Sequence, residues 1–130
     1  MPDYKFSLKP KRVPLVQTKF RTIKTAIPSP ETVRVIKESK KYNAGLMPGQ
    51  LPVAWHKAVD FNVFDPAGNK WIDFTSSIFV TNSGHANPKI KKAVKEQLEK
   101  NLLHAYIYPT EIKNKFLNKL LKMAKPYADG

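Results

Sequence analysis

Between Thr75 and His85 the chain reads Thr-Ser-Ser-Ile-Phe-Val-Thr-Asn-Ser-Gly-His. This is a dense supply of hydroxyls, an amide and an imidazole, the groups that bind a polar ligand through hydrogen bonds. Two readings are open. The loop lines a ligand pocket, or its hydroxyls satisfy nearby backbone groups in a strand-to-helix connection; local chemistry alone favours the second. His85 follows Gly84 and reads as a structural histidine bonded to neighbouring backbone. His56 and His104 have no second ligand at metal-like spacing, so no metal site is expected. Asp60, Asp65 and Asp73 are explained by turns and strand ends. The sequence has no Gly-x-Gly-x-x-Gly or P-loop phosphate cradle and no Gly-x-Ser-x-Gly elbow. On spacing alone, no catalytic constellation and no cofactor-binding residue is assigned.

The elements around this loop are legible from turn and cap residues. Residues 1–28 carry Pro2, Pro10, Pro14 and Pro28, with seven lysines and arginines against Asp3, which predicts an extended basic arm. The arm is expected to lie across a partner surface or stay mobile. Ser29-Pro30 is a helix start with Ser as N-cap and Pro at the first position. Val33 and Ile36 continue its apolar face, and the helix is expected to stop near Asn43, before a hinge from Asn43 to Pro52.

From Val53 the apolar period becomes two. Asp65-Pro66-Ala67-Gly68-Asn69 is turn chemistry between two β-prone runs, so a hairpin is expected, with Val53 to Ala58 as a third antiparallel strand. Asn87-Pro88 opens a second helix carrying Ile90, Ala93, Val94, Gln97, Leu98 and Leu102 on one side. Thr110 opens a third, with Ile112, Phe116, Leu120 and Ala124 at steps of four, ended by Pro126. The fold class is therefore α+β: an extended N-terminal arm, a helix, a small three-stranded antiparallel sheet, then two helices.

Composition narrows the function classes. With 130 residues, 42% hydrophobic and 11% aromatic, the chain can form a packed domain. It has no cysteine, which removes disulfides and thiolate chemistry. No apolar run reaches membrane-spanning length, and no signal-peptide core is seen, so a cytoplasmic location and no membrane partner are expected. The net charge of +13 raises a second reading: a small basic protein whose arm contacts nucleic acid or another anionic surface. The lysines are spread over every segment with no recognition motif beside them, so nucleic-acid binding is not expected.

A resemblance then joins these pieces. Gln50-Leu51-Pro52-Val53, the run from Val63 to Phe74 through Asp65-Pro66-Ala67-Gly68-Asn69, and Asn82-Ser83-Gly84-His85-Ala86-Asn87-Pro88 together resemble the N-terminal portion of class III aminotransferases. These are fold type I pyridoxal-phosphate enzymes such as the 4-aminobutyrate, ornithine and acetylornithine aminotransferases. The order and spacing match over roughly residues 30–130. The resemblance implies a partial fold type I architecture (the small domain and the start of the large domain) in residues 29–130, beyond the arm of residues 1–28.

It implies further expectations: pyridoxal phosphate as the family's cofactor, an amino donor and a 2-oxo acid as substrates, and a homo-oligomer. Ser77, Ile78 and Tyr108 are implied as substrate-side residues, and Ile78, where ornithine-type enzymes carry Tyr, hints at an ω-amino substrate. The family's phosphate-binding segment, its pyridine-nitrogen Asp and its aldimine Lys have no counterpart here. The chain is therefore expected to be an N-terminal fragment that neither binds the cofactor nor transaminates alone.

Overall fold

The computed structural model describes residues 6–42 and 51–127. The chain divides into two compact units, Met1–Pro88 and Lys89–Gly130, and each is considered by itself.

The first unit is built on one antiparallel sheet in the order β1-β2-β5-β4-β3. Its strands are β1 (Val16–Gln17), β2 (Thr22–Ile23), β3 (Lys57–Val59), β4 (Asn62–Phe64) and β5 (Lys70–Ile72). The sheet therefore has five strands rather than three. The three expected strands are present, with the first of them placed at Lys57–Val59. The extra pair comes from the arm, whose described part joins the sheet of this chain. Pro10 and Pro14 precede β1, where a missing N–H costs the ladder nothing. Thr18 then closes a tight turn: its N–H and hydroxyl donate to the Arg21 carbonyl, and its hydroxyl accepts from Phe20 and Arg21 N–H. Lys11 and Ile27 pair main chain to main chain at 3.0 and 2.9 Å, which closes the arm into a hairpin.

Side chains of the sheet hold this hairpin. Asn62 Nδ2 donates to the Phe20 and Trp71 carbonyls, at 2.8 and 2.9 Å. Lys70 Nζ donates to the Lys19 carbonyl at 2.7 Å. The Phe20 and Phe61 rings meet at 5.7 Å between centroids.

The Asp65–Asn69 loop joins β4 to β5 as its turn residues predict, and it becomes a buried polar clamp. Asn69 N–H donates to Asp65 Oδ1 and its amide to Asp65 Oδ2, at 2.9 and 2.8 Å. The same amide donates to Thr25 Oγ1 at 2.8 Å, and Asn69 Oδ1 accepts from Lys24 N–H at 2.7 Å. Buried apolar side chains include Ile23, Ala54 and Val63, while Thr22, Ser29, Thr32, Asp65 and Asn69 are buried polar ones. The interior of this unit is thus organised as much by hydrogen bonds as by apolar packing.

Helix α1 runs Pro30–Tyr42. Ser29 caps it, accepting from Thr32 N–H at 3.1 Å, as the Ser-Pro signature predicts. The expected stop near Asn43 and the hinge up to Gln50 lie outside the described residues. A four-residue element, α2 (Ser76–Phe79), sits in the loop after β5. Helix α3 (Pro88–Leu98) starts at the expected Asn-Pro pair. In the second unit α4 (Glu111–Ala124) is capped by Thr110, whose hydroxyl accepts from Lys113 N–H at 3.2 Å. A 3-10 turn, Lys125–Tyr127, extends past the predicted end. Ile90, Val94 and Leu98 on α3, and Ile112, Phe116 and Leu120 on α4, are exposed. No helix among the described residues is long and apolar enough to cross a membrane.

Candidate functional site

The candidate site is the loop from Phe74 to Gly84, and its shape begins with the residues at its two ends. β5 delivers Asp73, whose N–H donates to the Phe61 carbonyl at 2.8 Å. At the other end His85 forms an antiparallel bridge with Asp60: His85 N–H to Asp60 O at 2.6 Å, Asp60 N–H to His85 O at 2.8 Å. Asp60 and Phe61 form the turn between β3 and β4, so both loop ends rest on adjacent residues of one turn.

The two ends also meet through side chains. Asp73 Oδ2 lies 2.7 Å from His85 Nε2. Asp73 Oδ1 accepts from Thr75 N–H at 2.9 Å and from the Thr75 hydroxyl at 2.6 Å. The side chains of His85 and Asp73 are only 10% and 2% exposed. Burial raises the Asp73 pKa, but hydrogen bonds from the Thr75 hydroxyl, the His85 ring and the Thr75 N–H, with the His85 charge, outweigh it and bring the carboxyl down to about 2. Trp55 meets the imidazole edge-on at 5.6 Å. Gly84 has φ +85°, and a Cβ there would stand 2.9 Å from Asp60 Oδ1, so glycine permits the close approach.

Inside the loop the backbone is left-handed. Ser76, Ser77, Ile78 and Phe79 have φ of 48°, 52°, 58° and 66°. They form one turn closed by Phe79 N–H to Thr75 O at 3.0 Å, and by Val80 and Thr81 N–H to Ser76 O, each at 2.9 Å. L-residues pay about 1–2 kcal/mol each for this geometry, and a β-branched residue such as Ile78 is an outlier there. Such strain persists only where surrounding contacts impose it, and it concentrates at functional sites.

Of the residues singled out for substrate contact, Ser77 and Ile78 fall on this left-handed turn. Ser77 is half-buried and Ile78 is 61% exposed. Tyr108 lies in the second unit, in a turn closed by its N–H on the Ala105 carbonyl at 2.9 Å, with its ring exposed. Sequence reasoning missed the Asp73–Thr75–His85 cluster. It read Asp73 as a strand end and gave His85 local backbone partners, whereas the His85 main chain pairs with Asp60 and its ring with the Asp73 carboxylate. The available signal was an Asp and a His bracketing one loop. Among the described residues no group of three His, Cys, Asp or Glu could hold a metal ion.

The fit to a carbonyl-bearing cofactor is tested by the lysines, since an aldimine-forming lysine is held out of water. Every described lysine is exposed except Lys70, which is half-buried with its Nζ committed to the Lys19 carbonyl. The described residues do not fit pyridoxal phosphate on their own.

Comparison with known proteins identifies the family. The chain is 36% identical over 80 residues to a mitochondrial ornithine aminotransferase of Oryza sativa subsp. japonica, an overlap of 62% of this chain and 16% of that one. It is 35% identical over 85 residues to the acetylornithine aminotransferase of Methanocaldococcus jannaschii, covering 65% of this chain and 21% of that protein. The crystal structure of acetylornithine aminotransferase from Elizabethkingia anophelis superposes with a TM-score of 0.67 at 26% identity, over 75% of this chain and 25% of that one. The chain thus spans a quarter or less of the length of these relatives. Residues 46–129 match the family described as aminotransferase class III, and the chain belongs to that family.

Proposed function

We propose that this chain serves pyridoxal-phosphate-dependent transfer of an amino group from an amino acid or ω-amino acid to a 2-oxo acid. In this reading it contributes the substrate-side wall of the pocket and does not turn over by itself. The observation that carries the reading is the strained turn Ser76–Phe79, which lies within the family match and carries a half-buried Ser77 and an exposed Ile78. Strain of this kind is kept where a precise presentation of side chains is needed.

In this proposal Ser77 offers a hydroxyl to a polar group of the substrate, and Ile78 an apolar face to its carbon chain. Tyr108 is proposed as a substrate contact in its own right, on the family resemblance alone. An apolar Ile at the wall favours a donor whose nearby segment is methylene rather than charged, which is the ω-amino class. The complete enzyme works as a homo-oligomer in the cytoplasm, with the cofactor held by groups other than the described residues.

The experiment is a graft. Residues 46–129 replace the matching N-terminal segment of the Methanocaldococcus jannaschii acetylornithine aminotransferase, and amino transfer to 2-oxoglutarate is measured with acetylornithine, ornithine and 4-aminobutyrate as donors. An active graft whose donor preference moves when Ile78 is changed to Tyr supports the proposal. An active graft with the host's unaltered preference, indifferent to Ile78, removes the pocket-wall role. The isolated chain mixed with pyridoxal phosphate should show no single-lysine aldimine absorbance.

A further inference from the structure

We propose that Asp73 and His85 are positioning residues: their side chains clasp the two ends of the Phe74–Gly84 loop and thereby hold the left-handed turn that presents Ser77 and Ile78. The functional consequence rests on the pocket-wall reading above, whereas the clasp itself is a statement about the loop.

The argument is one of what opposes the strain. Four consecutive non-glycine residues are left-handed, and the turn's own three main-chain bonds are bonds that a right-handed turn would also make. Apolar packing does little to hold it either, since Ile78 and Phe79 are 61% and 79% exposed and Phe74 and Val80 are 89% and 80% exposed, with only Ser76 and Ser77 half-buried. What remains is the base of the loop. There a single carboxylate is shared between the entry, where Oδ1 receives both Thr75 donors, and the exit, where Oδ2 meets His85. Each half of the clasp is fixed to the β3–β4 turn, Asp73 through Phe61 and His85 through Asp60. Both Thr75 donors are held on the Asp73 carboxylate, and Thr75 O is the first acceptor of the left-handed turn.

The imidazole meets the Asp73 carboxylate from the end of β5 and the Trp55 ring at its edge, while the Asp60 carboxylate of the β3–β4 turn stands close over Gly84. A hydrogen bond to an ionised carboxylate is worth more than a neutral one. Thr75 donates to the carboxylate rather than to the imidazole, so the cluster is a clasp and not a nucleophile–base–acid relay.

The test is nuclear magnetic resonance on the 130-residue chain. Three-bond HN–Hα couplings at 76–79 and hydrogen exchange of the Phe79 and Val80 amides are compared between wild type, Asp73→Asn and His85→Gln, with β2 and β5 amides as the folding control. We expect at least tenfold faster exchange at Phe79 and Val80 in both variants, and averaged couplings, with the control amides unchanged. Unchanged couplings and exchange at 76–80 in either variant overturn the clasp.

The pH profile of the wild type decides the matter even if a variant fails to fold. The 76–80 amide shifts should move together with the Asp73 carboxyl carbon resonance as pH falls towards 2; if the carboxyl titrates while those amides stay still, the clasp is wrong. In the grafted aminotransferase, His85→Gln should raise the donor KM about tenfold and leave kcat within about twofold. A loosened turn with unaltered KM sinks the pocket-wall reading and spares the clasp. A rigid turn in the variants does the reverse.

Discussion

The side-chain amide of Asn69 donates to the hydroxyl of Thr25, 44 residues earlier in the chain, at 2.8 Å. With the adjoining bond from Lys24 N–H to Asn69 Oδ1, it makes one fully buried side chain the joint between the arm and the β4–β5 loop. The same amide and the Asn69 N–H satisfy both oxygens of the buried Asp65 carboxylate. The arm's place on the sheet, and with it the β2–β5 pairing beside the candidate site, depends on this joint.

Asn69→Ala is therefore expected to destabilise the chain by about 2–4 kcal/mol, because it leaves the Lys24 N–H and one Asp65 oxygen buried without partners. Urea unfolding followed by Trp fluorescence measures this. Protease sensitivity between Lys11 and Thr25 should rise in parallel, because the arm loses its attachment before the β4–β5 hairpin does.

Gly84 and Gly68 separate two costs of the same backbone conformation. Both have positive φ, +85° and +80°, but a Cβ at Gly68 meets nothing within 4 Å while one at Gly84 meets Asp60 at 2.9 Å. Gly68→Ala should cost about 1 kcal/mol from φ alone. Gly84→Ala should cost more, about 2 kcal/mol, since the Asp60 carboxylate must also swing aside. Equal midpoint shifts in urea would show that the close approach to Asp60 carries no weight.

Acid should act on the loop in a defined window. The Asp73 carboxyl is held at about 2 against an ordinary 3.8. Its folded-state pKa is depressed, so its contribution is fully present above pH 4 and is lost as pH falls through 2. That contribution is of order 1–2 kcal/mol once solvent screening near the surface is allowed for. Unfolding free energies between pH 5 and 2 should fall less steeply in Asp73→Asn than in wild type.

What the sequence made legible follows from where its information is local. Ser29-Pro30, Asn87-Pro88 and Thr110 mark helix starts through capping groups within three residues, and α1, α3 and α4 begin there. Asp65 to Asn69 likewise announces its own turn. The arm's two strands were missed because prolines report only what cannot form at their own positions. Its two-residue strands are held by Asn62, Asn69 and Lys70, side chains 42 to 51 residues away. At the site, family resemblance singled out Ser77 and Ile78, but four left-handed residues without a glycine have no sequence signature. The clasp that flanks them depends on a contact between Asp73 and His85 that periodicity does not encode.

The left-handed turn yields the sharpest separation of stability from function. Ile78 has φ 58° and ψ 57°, and its side chain is 61% exposed, so it gives up little packing in return for its strain. Ile78→Ala should change stability by less than about 0.5 kcal/mol, because alanine pays the same backbone cost and the lost contacts were few. Ile78→Gly removes the Cβ penalty of about 1–2 kcal/mol while adding roughly 0.5–1 kcal/mol of unfolded-state freedom. The glycine variant should therefore unfold at equal or higher urea concentration than wild type, an unusual result for a large-to-small substitution. In the grafted aminotransferase the same change should lower kcat/KM for the preferred donor by at least tenfold, since the wall loses its apolar face. A glycine variant that is both less stable and equally active would mean that the turn is held by Ile78 itself, through contacts its exposure does not suggest.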